Sequence, residues 1–142
     1  MGKSLIIKGA DFSANAVPVL PEGYTYLTAD NANSYAQVWW NTITHQTGYG
    51  DTAKDTLYWN VVAGSVIRVK KSATQTVGVF LFLDTPINTV NTDYISHLKN
   101  NTPDNLYRTT DEVVTYNVVE NCVFGLYQYD GSKFPELLIY KP

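Results

Sequence analysis

Residues 76–83 read Thr76-Val77-Gly78-Val79-Phe80-Leu81-Phe82-Leu83. Successive side chains of a β-strand point to opposite faces. An apolar run with almost no polar alternation therefore predicts a central strand covered on both faces. Around it the same kind of signal recurs. Residues 57–62 and 66–70 are apolar runs flanking Ala63-Gly64-Ser65, where glycine supplies the positive φ of a tight hairpin turn. Residues 112–118, 122–129 and 136–140 read as the closing strands, with Asp130-Gly131 as the last turn. Pro135 predicts that the final strand begins late or lies at an edge. Towards the N-terminus, residues 4–8, 24–28 and 35–40 are further strands, the second set off by the turn Pro21-Glu22-Gly23.

Helical periodicity is nearly absent. One short helix is expected near residues 92–99, with Thr92 as its cap and Tyr94, Ile95 and Leu98 at helical spacing. Residues 42–54 and 84–111 are polar and read as loops, the second long enough to be functional or to hold small elements. There is no strand–helix alternation and no internal repeat. The expectation is an all-β, two-sheet antiparallel β-sandwich of the jelly-roll type with about eight to nine strands, forming a single domain over residues 1–142.

Composition agrees with that class. Of 142 residues, 44% are hydrophobic and 16% charged, against roughly 25% charged in an average domain. Thr, Asn and Ser make up the difference. The net charge is −3, and Lys70-Lys71 is the only basic pair. A nucleic-acid groove needs a basic stripe, so no nucleic-acid partner is expected. The apolar run 5–7 is too short for a signal-peptide core, and no stretch is long enough to span a membrane. The start Met1-Gly2 lacks the downstream Ser or Thr of a myristoylation site. Cys122 is the single cysteine, so no internal disulfide can form. It sits in an apolar run, where a thiol behaves as a small hydrophobe.

Chemistry-bearing patterns are lacking. His45 and His97 have no metal-ligand spacing. Asp30, Asp51 and Asp55 could contribute to a structural Ca²⁺, but no Asp-x-Asp-x-Asp run arranges them, so no cofactor and no metal site is expected. Glu112, Glu120 and Glu136 fall at strand ends and turns rather than in a paired glycosidase arrangement. Ser13 lacks the flanking glycines of a nucleophile elbow, and P-loops and dinucleotide fingerprints are absent. No catalytic residue is assigned and no enzyme activity is expected.

Aromatic residues are the strongest signal: 11 Tyr, 5 Phe and 3 Trp. Trp39 and Trp40 are adjacent, so on a strand one enters the core while the other faces solvent. Tyr58 and Trp59 repeat the pattern. Trp40, Tyr49 and Trp59, with Asn41 and His45, could form a surface on which sugar rings stack or a partner docks. The competing reading places these aromatics in the core or in a subunit interface.

The run Leu5-Ile6-Ile7-Lys8-Gly9-Ala10-Asp11-Phe12-Ser13-Ala14-Asn15-Ala16-Val17 resembles the opening of β-sandwich modules in virion proteins of tailed phages and prophages of gut bacteria, including the crAss-like group. The segments 62–69 and 114–124 are similar to that family's strand–turn–strand units, and 135–140 to its final strand. Residues 42–54 and 84–111 match no part of it. The resemblance implies a jelly roll like that of carbohydrate-binding modules. It implies a non-enzymatic phage structural protein, serving as an auxiliary capsid (decoration), fibre or tail component. Such a protein would be made in the bacterial host cytoplasm and located in the virion, where it assembles with other virion proteins or copies of itself. The alternative it allows is a carbohydrate-binding module or host-receptor-binding domain that recognises a surface glycan.

Overall fold

The computed structural model describes residues 20–41, 43–48, 56–70, 78–100, 107–108, 113–128 and 134–142. The expected strand over 4–8, the turn Asp130-Gly131, and Ser13, Tyr49, Asp51, Asp55, Lys71 and Glu112 lie outside the described residues. The described strands, in chain order, are β1 (Thr25–Tyr26), β2 (Ser34–Ala36), β3 (Trp39–Asn41), β4 (Gln46–Gly48), β5 (Thr56–Val61), β6 (Val66–Lys70), β7 (Gly78–Leu83), β8 (Tyr107–Arg108), β9 (Val114–Asn117), β10 (Cys122–Gln128) and β11 (Leu137–Lys141). They form a four-stranded sheet β1-β11-β6-β9, a five-stranded sheet β2-β5-β10-β7-β8 and a separate β3-β4 pair.

The two larger sheets follow one rule. β1 pairs with β11, β5 with β10, β6 with β9 and β7 with β8, all antiparallel. Each strand thus pairs with one equally far from the other end, as in a single long hairpin. Rolling that hairpin brings β11 beside β6 and β10 beside β7. The result is the eight-stranded jelly roll, with β2 added to the free edge of β5.

One consequence corrects the reading of Ala63-Gly64-Ser65. Gly64 has the expected positive φ of 88°, but β5 and β6 belong to different sheets. The turn is therefore a crossing between the layers, not a hairpin. In nested pairing each of these strands takes a later partner. The crossing is fastened to the turn after β9: Gly64 donates its backbone N–H to Val118 O, and Val118 donates to Ser65 O, at 2.7 and 2.9 Å.

Alternation along β5, β7 and β10 explains the buried runs. Leu57, Trp59 and Val61 of β5, Phe80 and Phe82 of β7, and Cys122, Phe124 and Leu126 of β10 fill the space between the two sheets, with Ile67, Val69 and Leu138 opposite. Phe124 is the centre of this layer. Phe80 stacks parallel to it at 6.3 Å and Phe82 tilts against it at 5.1 Å. The other set, Tyr58, Val79, Leu81, Leu83, Val123 and Tyr127, forms a second core on the outer face of the same sheet. Each large apolar side chain so buried contributes about 1.5–3 kcal/mol.

A third layer covers that outer face: the β3–β4 hairpin and residues 84–98. Trp40, Ile87 and Tyr94 pack down from it. Thr47 of β4 ties its two parts together, donating through Oγ1 to Thr89 O at 2.7 Å while its backbone N–H donates to Thr92 O at 2.9 Å.

Several expected boundaries shift. The strand expected over 35–40 breaks into β2 and β3, because the chain leaves the sheet edge to enter the third layer. The loop expected over 42–54 contains β4. The short helix expected over 92–99 is a single 3-10 turn, Ile95–His97, and Thr92 does not cap it; the Thr92 hydroxyl bonds within residues 89–92. Tyr94 is fully buried while Ile95 is exposed, so those residues serve layer packing rather than a helix face. The final strand does begin after Pro135, at Leu137, but β11 is an interior strand and not an edge.

Candidate functional site

At one edge of the sandwich the two sheets part around a cleft of about 250 Å³. It is lined by Thr25, Leu27, Asn31, Asn33, Trp59, Asn60, Tyr140 and Pro142. Thr25 comes from β1 and sits opposite Tyr140 of β11. Tyr140 is in turn opposite Ile67, an inter-sheet core residue, so Thr25 and Tyr140 both face the gap between sheets. Leu27 and Trp59 belong to the inter-sheet core and close the cleft from within. Asn31 and Asn33 come from the connection between β1 and β2.

Hydrogen bonds fix the walls. Trp59 Nε1 donates to Asn31 Oδ1 at 2.9 Å, and that oxygen also accepts the Thr28 N–H. Asn31 Nδ2 donates to Tyr26 O at 2.8 Å, so both ends of the Asn31 amide take part in shaping the connection. Asn33 Oδ1 accepts the Asn60 backbone N–H at 2.7 Å, extending the sheet one step beyond the end of β2. The Tyr140 hydroxyl accepts the Val62 N–H at 3.2 Å. Among the described residues these bonds leave the Asn33 amide N–H groups and the Tyr140 hydroxyl proton uncommitted. The Thr25 hydroxyl and the Asn60 side-chain amide are likewise uncommitted among the described residues. Among the described residues the lining contains no Asp, Glu, His, Lys or Arg. Tyr35 is 64% exposed at the edge strand β2. It lies opposite Leu57 in register, so it projects on the same side of the sheet as Trp59.

The aromatic surface expected from the sequence is not built from Trp40 and Trp59, and Tyr49 lies outside the described residues. Trp40 is 0% and Trp59 2% exposed, so neither offers a face for stacking. They also sit on opposite faces of the five-stranded sheet, in different cores. Trp40 is held by its own hydrogen bond, Nε1 to Thr56 Oγ1 at 2.8 Å, both residues fully buried. Of the adjacent pair it is Trp39 that faces solvent, at 40%, with its ring against Gly48.

Asn41 and His45 do come together with Trp40, as builders of the β3–β4 turn. Asn41 Oδ1 accepts the N–H groups of Ile43 and Thr44 at 2.9 and 3.0 Å. His45 takes the left-handed conformation that turns the chain back, at φ 62°. Tyr94 packs edge-on against both Trp40 and His45 and donates its backbone N–H to His45 O.

Ionisable groups elsewhere form ordinary pairs. Glu120 lies 3.6 Å from Lys99 and Glu136 3.3 Å from Lys70, each about half exposed. His97 Nδ1 and Asp84 Oδ1 meet at 2.8 Å on the surface. Asp30 is exposed in the 3-10 turn Ala29–Asn31. Among the described residues no group of three or more His, Cys, Asp or Glu is placed to hold a metal ion, and no helix is long and apolar enough to cross a membrane. Cys122 is buried, and burial, with Glu120 adding to it and Lys99 opposing, pushes its thiol up to about 11. Burial also pushes the Tyr58 phenol far above its ordinary range, with its hydrogen bond to the Ile87 backbone opposing.

The cleft was not legible in advance, because its residues are ordinary threonine and asparagine at strand edges. Their only sequence signal is the Asn cluster at 31 and 33 before β2. No family model, curated protein or solved structure matches the chain.

Proposed function

We propose that this protein is a non-enzymatic structural component of a tailed-phage virion, a jelly-roll module that assembles through protein–protein contacts. The observation that carries the reading is the surface of the third layer. Of nine large hydrophobic residues exposed among the described residues, four (Trp39, Ile43, Val90 and Ile95) lie on this layer, with Ile43 at 86%. The layer is an addition to the eight-stranded roll, and its outward face is where an apolar contact would form. The rolled topology is one used by viral capsid and lectin domains, and the N-terminal run 5–17 resembles phage virion modules. The low charge of the chain fits assembly better than nucleic-acid contact.

Mass spectrometry of purified particles from the phage or prophage that encodes the chain tests the reading. The protein is expected as a reproducible particle component. Its expression during infection without recovery in particles would refute the assignment.

A further inference from the structure

The cleft between the sheets has a chemistry the assembly role does not use, and we propose that it binds a neutral saccharide. Its inner wall is apolar: the half-buried Tyr140 ring is the accessible aromatic face, and the buried Leu27 and Trp59 lie behind it. Its mouth carries donors and acceptors uncommitted among the described residues: the Thr25 hydroxyl, the Asn33 amide N–H groups, the Asn60 amide and the Tyr140 hydroxyl proton. A pyranose presents the same two features, C–H faces for the aromatic wall and hydroxyls that both donate and accept. Amides and hydroxyls complement such groups without a charge. With no basic side chain among the described lining residues, a phosphate, sialic acid or uronic acid would meet no counter-charge from them, and burying its charge there is costly. Size points the same way. At about 250 Å³ the cleft is below the roughly 300–1,000 Å³ of drug-sized ligand sites, which suits one sugar ring with its neighbours left in solvent. Tyr35, exposed on the same side of the sheet, is placed to meet an adjoining ring.

The site is also pre-formed. Asn31 holds the Trp59 indole, and Asn33 holds the β5 backbone at Asn60, so little ordering remains for a ligand to impose. Among the described lining residues there is no side-chain carboxylate, let alone a pair, so binding without cleavage is the expected outcome.

Saturation-transfer NMR on the full chain tests this. The probes are glucose, galactose, mannose, rhamnose and N-acetylglucosamine, their disaccharides, and N-acetylneuraminic and glucuronic acids as charged probes. Thr25→Val and Tyr140→Phe each remove one neutral hydrogen-bonding group and are expected to weaken binding of a neutral sugar by about 2- to 10-fold. Ile43→Asp, on the third layer, is expected to leave it unchanged. Thr25 is exposed on an edge strand, so Thr25→Val keeps the comparison valid if Tyr140→Phe perturbs folding. Absence of saturable transfer to any neutral saccharide at millimolar concentration overturns the proposal. So does binding that survives both cleft substitutions, or binding confined to the acidic sugars. None of those results touches the virion reading, which rests on a different surface.

Discussion

Tyr58→Phe isolates the contact that fastens the third layer to the roll. The Tyr58 hydroxyl donates to Ile87 O at 2.7 Å and accepts the Ile87 N–H at 3.3 Å. Tyr58 is 1% and Ile87 4% exposed, so water cannot replace the lost oxygen. Phenylalanine keeps the ring and opens no large cavity; the cost is the desolvated Ile87 peptide group. One buried group left unpaired costs about 1–3 kcal/mol. The longer second contact adds less, so the expected loss is about 2–3 kcal/mol. Against a total stability of about 5–15 kcal/mol that is a large change, readable in urea unfolding at pH 7 as a lower midpoint at unchanged slope. Amide exchange then locates it. Residues 84–98 are expected to open more readily, while the β10 amides between β5 and β7 keep protection that tracks global stability. A loss under about 0.5 kcal/mol, the range of a neutral surface change, or wild-type exchange across 84–98, would refute the fastening role.

Gly125→Ala tests the same packing from the other side. A Cβ at Gly125 would lie 3.0 and 3.1 Å from Tyr58 ring carbons, and the ring is pinned at its hydroxyl, so a loss of about 1–3 kcal/mol is expected. A Tyr58→Leu background should shrink that penalty, and an additive double mutant would count against the clash. The buried thiol gives a pH signature. Cys122 ionises near its ordinary 9.0 when unfolded and about 11 when folded, so the folded state holds the proton longer. Its stabilising contribution is full below pH 9 and lost as pH rises towards 11, by at most about 2–3 kcal/mol. Cys122→Ala should flatten the alkaline decline in urea midpoints between pH 8 and 10.5; identical slopes would remove the thiol from the account.

The fold was largely legible, and the reason is alternation. Residues 79–83 and 122–127 carry apolar side chains at every position except Gly125, which only a sheet covered on both faces tolerates, and both runs are interior strands. What covered the second face was not legible. The third layer is built from 39–48 and 84–98, polar stretches whose few anchors, Trp40, Ile87 and Tyr94, lie more than forty residues apart at the extremes. Sequence spacing carries no trace of that meeting. The same limit misplaced the aromatic surface. Alternation correctly separates Trp39 from Trp40, but which side is solvent depends on what lies over the sheet. For Tyr58 and Trp59 neither side is, since one faces the third layer and the other the opposing sheet. The cleft depends on where two sheet edges part, a property of the roll that no local pattern encodes.

Ile43 is the most exposed apolar residue of the third layer, and its hairpin turn is held by Asn41 independently of the Ile43 side chain. Ile43→Asp should therefore fold with wild-type stability. Its copy number in purified particles, measured beside wild type by quantitative mass spectrometry, tests the assembly role most directly. Wild-type protein is expected at a fixed stoichiometry and Ile43→Asp at a severalfold lower level. Absence of the wild-type chain from particles, or equal incorporation of the variant, would contradict assembly through this layer.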